Sequence, residues 1–203
     1  MTRKFLDEAY NHIGKGIEHF YNDWAATYET EVGENGYVTP ARCARLLAAH
    51  QKDRSLPVLD FGCGTGLSGL ALRAEGFETI DGMDLSAEML AKARTKNLYR
   101  SLLQIQDDAP PPFAQGDYDA IAAIGVIGPG AAPLDVFDVL LSKLAPGGLF
   151  VLSFNDHALE DPAYAAKITD CVDKGLLRVL EQEYGPHLPA RNINSTVYLA
   201  EKL

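Results

Sequence analysis

The sequence predicts a doubly wound α/β fold: a mainly parallel sheet covered by helices, finished by an antiparallel hairpin and preceded by a helical cap. Three observations carry this. From Leu56 onward short apolar runs alternate with segments of helical period, the pattern of βαβ units. A glycine cluster, Gly62, Gly64, Gly66 and Gly69, follows the first apolar run and gives the backbone freedom for a sharp strand-to-helix turn. The last two strand-like runs are joined by roughly ten residues, too few for the crossover helix that parallel neighbours need.

Taken in order, residues 1–50 hold no strand-like run and are read as the cap. Ile17, Phe20, Tyr21, Trp24 and Tyr28 recur at helical spacing and predict one amphipathic helix across 17–28. Thr39 and Pro40 open a second helix as N-cap and first turn, turning Cys43, Leu46 and Leu47 inward. Residues 51–203 form the main domain, joined to the cap as one structural unit. Its strands are predicted at 57–61, 78–84, 102–106, 118–126, 149–154, 176–184 and 195–200. Helices follow Gly66, Ser86, Pro133 and Asp161, each marked by an apolar stripe, with stops near Gly76, Gly147 and Gly175.

Composition narrows the partners. Among 203 residues, 28 acidic side chains against 18 basic give a net charge of −10, a field that repels phosphate backbones and anionic lipid. No nucleic acid and no membrane are therefore expected as partners, and a small uncharged or cationic substrate suits the balance. Asp7 and Glu8 interrupt any signal-peptide core, and no run reaches the length of a transmembrane helix. Cys43, Cys63 and Cys171 are odd in number and widely spaced, so neither a disulfide framework nor a thiolate metal site is expected. The expected location is cytoplasmic. His12 and His19 have no third ligand spaced with them, and no metal is expected. Oligomeric state has no signature in the sequence.

The chemistry lies in Asp60-Phe61-Gly62-Cys63-Gly64-Thr65-Gly66 and in Asp84 about 20 residues on. Gly64, Gly66 and Gly69 satisfy GxGxxG, the dinucleotide pattern, with Asp84 placed to hold a ribose. Asp60 argues otherwise: an ionised acid beside the loop repels a pyrophosphate and attracts a cationic ligand end. These residues, with Gly82 to Ser86 and Pro146-Gly147-Gly148 before the fifth strand, resemble the class I S-adenosylmethionine-dependent methyltransferases of small-molecule type. The resemblance covers about residues 56–203 and implies a Rossmann-like sheet of seven strands with a C-terminal antiparallel hairpin. It implies S-adenosylmethionine as methyl donor, S-adenosylhomocysteine as product, and direct displacement onto a small-molecule acceptor without a metal.

Position by position, the resemblance gives Asp60, Gly62, Cys63, Gly64, Thr65 and Gly66 to the methionine end and ribose, and Asp84 to the ribose hydroxyls. Leu85 and Met89 would pack on adenine, Asp107 or Asp108 would meet its amino group, and Ile124 and Gly125 would border the transferring methyl. Tyr28 and Tyr37 are the cap residues expected over the site. Each has a plainer reading: Tyr21, Trp24 and Tyr28 suit core burial, Asp107 and Asp108 a polar turn, and Cys63 simple packing. His157, just beyond the fifth strand, stands where a general base would act, as does Tyr28 in the cap; a surface-loop histidine is the competing reading. A nicotinamide-dependent oxidoreductase and a non-catalytic S-adenosylmethionine-binding module remain as alternatives.

Overall fold

The computed structural model describes residues 5–9, 16–107 and 109–203. His12 and Asp108 lie outside them. Seven strands form one sheet in the order β3-β2-β1-β4-β5-β7-β6. They are β1 (Val58–Phe61), β2 (Ile80–Asp84), β3 (Ser101–Gln104), β4 (Ala120–Ala123), β5 (Leu149–Asn155), β6 (Leu177–Leu188) and β7 (Ile193–Lys202). The first five are parallel, whereas β7 runs antiparallel to both β5 and β6. All four residues of β1 and of β4 are buried, as an inner strand covered on both faces requires.

Helices α4 (Thr39–His50) and α5 (Leu67–Ala74) cover one face, where Cys43, Leu47 and Leu72 meet Val58, Ile80, Ala122 and Val197. Helices α7 (Val136–Lys143) and α9 (Pro162–Asp173) cover the other with Phe137, Leu140, Tyr164 and Ile168 against Leu59, Ile121, Phe150 and Phe154. Helix α6 (Ala87–Thr95) starts at Ser86, whose Oγ accepts from Met89 N at 3.1 Å, and the short α8 (Asp156–Leu159) starts at Asn155, whose Oδ1 accepts from Ala158 N at 3.0 Å. A third cluster is the cap: α1 (Phe5–Glu8), α2 (Ile17–Trp24) and α3 (Tyr28–Glu34) gather Leu6, Phe20, Trp24 and Val32 around Met89 and Leu188. Helix α4, although within the first 50 residues, belongs to the sheet core.

Three predicted elements differ. The single helix across 17–28 breaks at 25–27, where the Thr27 hydroxyl donates to Glu31 Oε1 at 2.6 Å, a local bond that competes with helix continuation. Strand β4 stops at Ala123 because Gly125 adopts φ +68°, curling the chain away from the sheet. The hairpin connection is shorter than predicted: β6 runs through Gly185 and Pro186 to Leu188, leaving Pro189–Asn192 as the turn. Pro186 is tolerated because β6 is an edge strand with its outer side unpaired, and the register is irregular at this point. No helix among the described residues is long and apolar enough to cross a membrane.

Candidate active site

Strand β1 pairs with β2 on one side and β4 on the other, so the chain order reverses there and a crevice opens at the strands' carboxyl ends. The glycine loop lines it. Gly62 N and Cys63 N both donate to Met83 O, at 2.7 and 3.0 Å, which ties the loop to β2. Gly62, Gly64 and Gly66 have φ of +69°, +53° and +95°, a region that L side chains rarely enter. A Cβ on Gly62 would come within 2.4 Å of Val126, whereas nothing lies within 4 Å of one on Gly64. The crest of the loop is therefore open to a ligand.

Asp84 faces that crest from the end of β2. Its Oδ2 accepts from Gly64 N and its Oδ1 from Ser86 N, each at 2.8 Å, so both oxygens are fixed while each keeps a lone pair for a further donor. Burial pushes its pKa upward against these backbone bonds. Leu85 beside it is half-buried, and Asp107 is exposed in the turn after β3. The arrangement fits the vicinal hydroxyls of a ribose above an open backbone crest. Thr65 is buried, and its carbonyl accepts from Lys96 Nζ at 2.7 Å.

Asp60 sits elsewhere than the charge argument placed it. Its carboxylate is 1% exposed, beneath the loop, where Oδ2 accepts from Ser68 Oγ at 2.6 Å and from Tyr99 Oη at 2.7 Å. Alternation along β1 turns it with Val58 toward α5 rather than toward the crevice. Oδ1 has no partner among the described residues. Burial pushes its pKa up to about 6, opposed by the two hydroxyl bonds and reinforced by Asp84. The glycines around it make room for Tyr99: a Cβ on Gly69 would meet its hydroxyl at 2.3 Å, and one on Gly82 or Gly66 its ring at 3.0 or 3.3 Å. The third glycine of the GxGxxG match thus serves a tyrosine, not a dinucleotide. Cys63 is buried and burial pushes its thiol well up, which suits the packing reading.

An open-mouthed cavity lies between the cap and the carboxyl ends of β4, β5 and β6. Tyr21, Trp24, Tyr28 and Tyr37 line it from the cap, Gly125 and Ile127 from the chain after β4, Ser153 and Asn155 from β5, and His187 and Leu188 from β6. No aspartate, glutamate, lysine or arginine is among the described lining residues. Gly125 adjoins the crevice; its N–H donates to Ser153 Oγ at 2.9 Å, and a Cβ on it would come within 2.6 Å of the Tyr37 hydroxyl. Ile124 turns into the core and offers only backbone here. Met89, expected on adenine, is 1% exposed and buried against the cap aromatics.

The histidines exchange roles. His157 lies on α8 with Nδ1 3.6 Å from Glu160 Oε1 and does not line the cavity. His19 is exposed beside Asp23. The cavity histidine is His187, 6% exposed, with Nδ1 2.8 Å from Thr39 Oγ1 and its ring edge-on to Tyr37 at 5.1 Å. Sequence reasoning missed it because Gly185 and Pro186 signal a turn, and it missed Thr39 by reading a cap where the hydroxyl bonds a side chain instead.

A family model described as a methyltransferase domain matches residues 36–194, and the chain belongs to that family. Its members include enzymes that use S-adenosylmethionine, and the oxidoreductase reading falls away. The chain is 35% identical over 138 residues to methyltransferase-like protein 27 of Homo sapiens, covering 66% of this chain and 56% of that one. It is 30% identical over 165 residues to the 18S rRNA (guanine(1575)-N(7))-methyltransferase of Saccharomyces cerevisiae, covering 74% and 60%. It thus spans three fifths or less of these relatives' own length. Among solved structures, a chain from the complex with the Haloferax volcanii Trm112 methyltransferase activator has a TM-score of 0.67 at 20% identity, covering 90% of this chain and 97% of that one. Magnesium protoporphyrin IX methyltransferase from Synechocystis PCC 6803, with bound S-adenosylmethionine, gives 0.64 at 16%, covering 98% and 90%. The [4+2]-cyclase SpnF gives 0.60 at 18%, covering 80% and 81%. These likenesses establish the seven-stranded Rossmann-like fold; a cyclase among them shows that the fold alone does not fix the reaction.

Proposed function

We propose that this methyltransferase acts in the cytoplasm on a small, uncharged acceptor seated in the cap cavity. One observation supports the reading: the cavity is walled by four aromatic side chains, has no charged residue among the described lining, and includes Gly125, next to Val126, which packs on Gly62 of the loop. A net charge of −10 supports it by disfavouring an RNA phosphate backbone. S-adenosylmethionine supplies a methyl group already activated on a sulfonium and leaves as S-adenosylhomocysteine.

The chain's own residues then bind and align. Asp84 holds the ribose hydroxyls, the open crest of the loop from Gly62 to Gly66 takes the adjoining portion, and Leu85 packs on the base with Asp107 near its amino group. Asp60, Ser68 and Tyr99 set the loop from beneath, and Met89 supports the cap from behind. Tyr28 and Tyr37 close over Gly125, excluding water where acceptor and donor meet, so catalysis rests on alignment and desolvation without a metal. Cap and sheet domain act as one unit, since the cavity needs both.

Calorimetric titration with S-adenosylmethionine, S-adenosylhomocysteine and NADH tests the first step. Binding of the first two alone is expected, with Asp84→Ala weakening both by more than about tenfold, the effect of losing two charge-assisted hydrogen bonds. A methyl-label screen then compares neutral aromatic molecules with ribosomal RNA and ribosomal protein. Labelling of the macromolecules alone would overturn the small-acceptor reading.

A further inference from the structure

His187 is fixed by a chain of hydrogen bonds whose direction can be worked out. Arg42 Nη1 lies 3.0 Å from Ser195 Oγ, and a guanidinium only donates, so Ser195 accepts there. The Ser195 hydroxyl proton then has Thr39 Oγ1, at 3.1 Å, as its acceptor among the described residues. Thr39 in turn donates its own proton to His187 Nδ1 at 2.8 Å. Run the other way, with Nδ1 protonated, the fully buried Ser195 would hold a proton with no acceptor, which buried polar groups avoid. The relay from Arg42 through Ser195 and Thr39 therefore makes Nδ1 the acceptor and leaves the ring's proton on Nε2.

Nε2 has no partner among the described residues, and the ring lines the cavity while 94% buried. Burial keeps the imidazole neutral by pushing its pKa down to about 4; the charges of Arg42 and His157 act the same way and Asp156 opposes them. A second donor belongs to the same wall: Trp24 Nε1–H is buried without a partner among the described residues. We propose that His187 determines specificity as a neutral hydrogen-bond donor, its Nε2–H recognising a carbonyl-type oxygen on the methyl acceptor. It is not a general base, because its lone pair is committed to Thr39. The proposal rests on the cavity being the acceptor site.

Two measurements separate that premise from the proposal. Imidazole nitrogen NMR of the wild-type protein, with no ligand added, is expected to show Nδ1 unprotonated and Nε2 protonated throughout, with a measurable Nδ1–H fraction appearing in Thr39→Val. An Nδ1–H tautomer would overturn the donor and make His187 a candidate base. Titration with acetophenone and its isostere α-methylstyrene, which replaces the carbonyl oxygen by CH₂, then reads recognition. Acetophenone should bind roughly three- to tenfold more tightly, the difference vanishing in His187→Phe and surviving in His187→Gln, whose amide keeps a donor at the same reach. Equal affinities, or no binding of either probe, would overturn recognition; the expected tautomer with no small acceptor methylated would overturn the proposed function and leave the relay intact.

Discussion

Asp60 carries a charge that the fold disfavours. Its folded pKa, about 6, lies above the ordinary 3.8, so between these values this carboxyl holds its proton more in the native state than in the unfolded chain. Its contribution to stability then falls as pH rises from about 4 to 6, by roughly 3 kcal/mol for two pKa units in a fully buried group. Because buried His187, with its pKa pushed down to about 4, contributes with the opposite sign over the same range, the readout is a difference: urea midpoints of wild type relative to Asp60→Asn, which has no proton to lose, should decline from pH 4 to 7. An identical pH slope in both proteins would remove the assignment. Residues were unevenly legible in the sequence. Asp84 could be found because its spacing from the loop follows from the βαβ unit itself. Asp60 was identified but misplaced, since the charge argument ignored the alternation that puts it on the same face of β1 as Val58. His187 could not be found, because Thr39, the residue that fixes it, is 148 positions away and meets it only across the folded hairpin.

Among the elements, polar contacts through Lys96 and Asn22 tie the cap to the glycine loop and the start of α6. Lys96 Nζ on the α6 side bonds both Glu29 Oε1 of α3, at 2.5 Å, and Thr65 O, at 2.7 Å. Asn22 of α2 accepts from Ser86 Oγ at 2.6 Å. Lys96→Met should loosen α2 and α3 while sparing the sheet, since it removes the charge-assisted bond that joins α3 to the main domain through Glu29. Hydrogen exchange is expected to quicken by roughly tenfold in residues 17–34, from about 1.4 kcal/mol of lost local stability, with β1 and β4 amides unchanged. Uniform change across the chain, or none, would contradict the latch. Strands and helices of the main domain were legible because glycine, proline and capping residues punctuate them. The break at 25–27 was not, for the apolar stripe continues through it and only the Thr27–Glu31 bond marks the interruption.

For the whole molecule, the doubly wound sheet was legible from alternation of periods, and the antiparallel ending from a connection too short to cross over. The extent of β6 was hidden by residues that usually end strands and here occupy an edge. The three cysteines, all buried and unpaired, give a global readout: a thiol reagent should find none in the native protein within minutes and all three after denaturation, and rapid native labelling would contradict the core. The cap has one more consequence, for synthesis. Its cluster is completed by Leu188 and Ile193, which leave the ribosome about 150 residues after α3, roughly 8–30 s later at ordinary elongation rates. Throughout that interval Phe20 and Trp24 have their ring partners Phe5, Tyr21 and Tyr28 but lack Leu188 and Ile193, and Trp24 is the sole tryptophan. Its fluorescence in ribosome-bound chains arrested before residue 188 should lie to the red of the folded protein's, shifting to the blue only once the hairpin has emerged, so the newly made protein gains its cap cavity last.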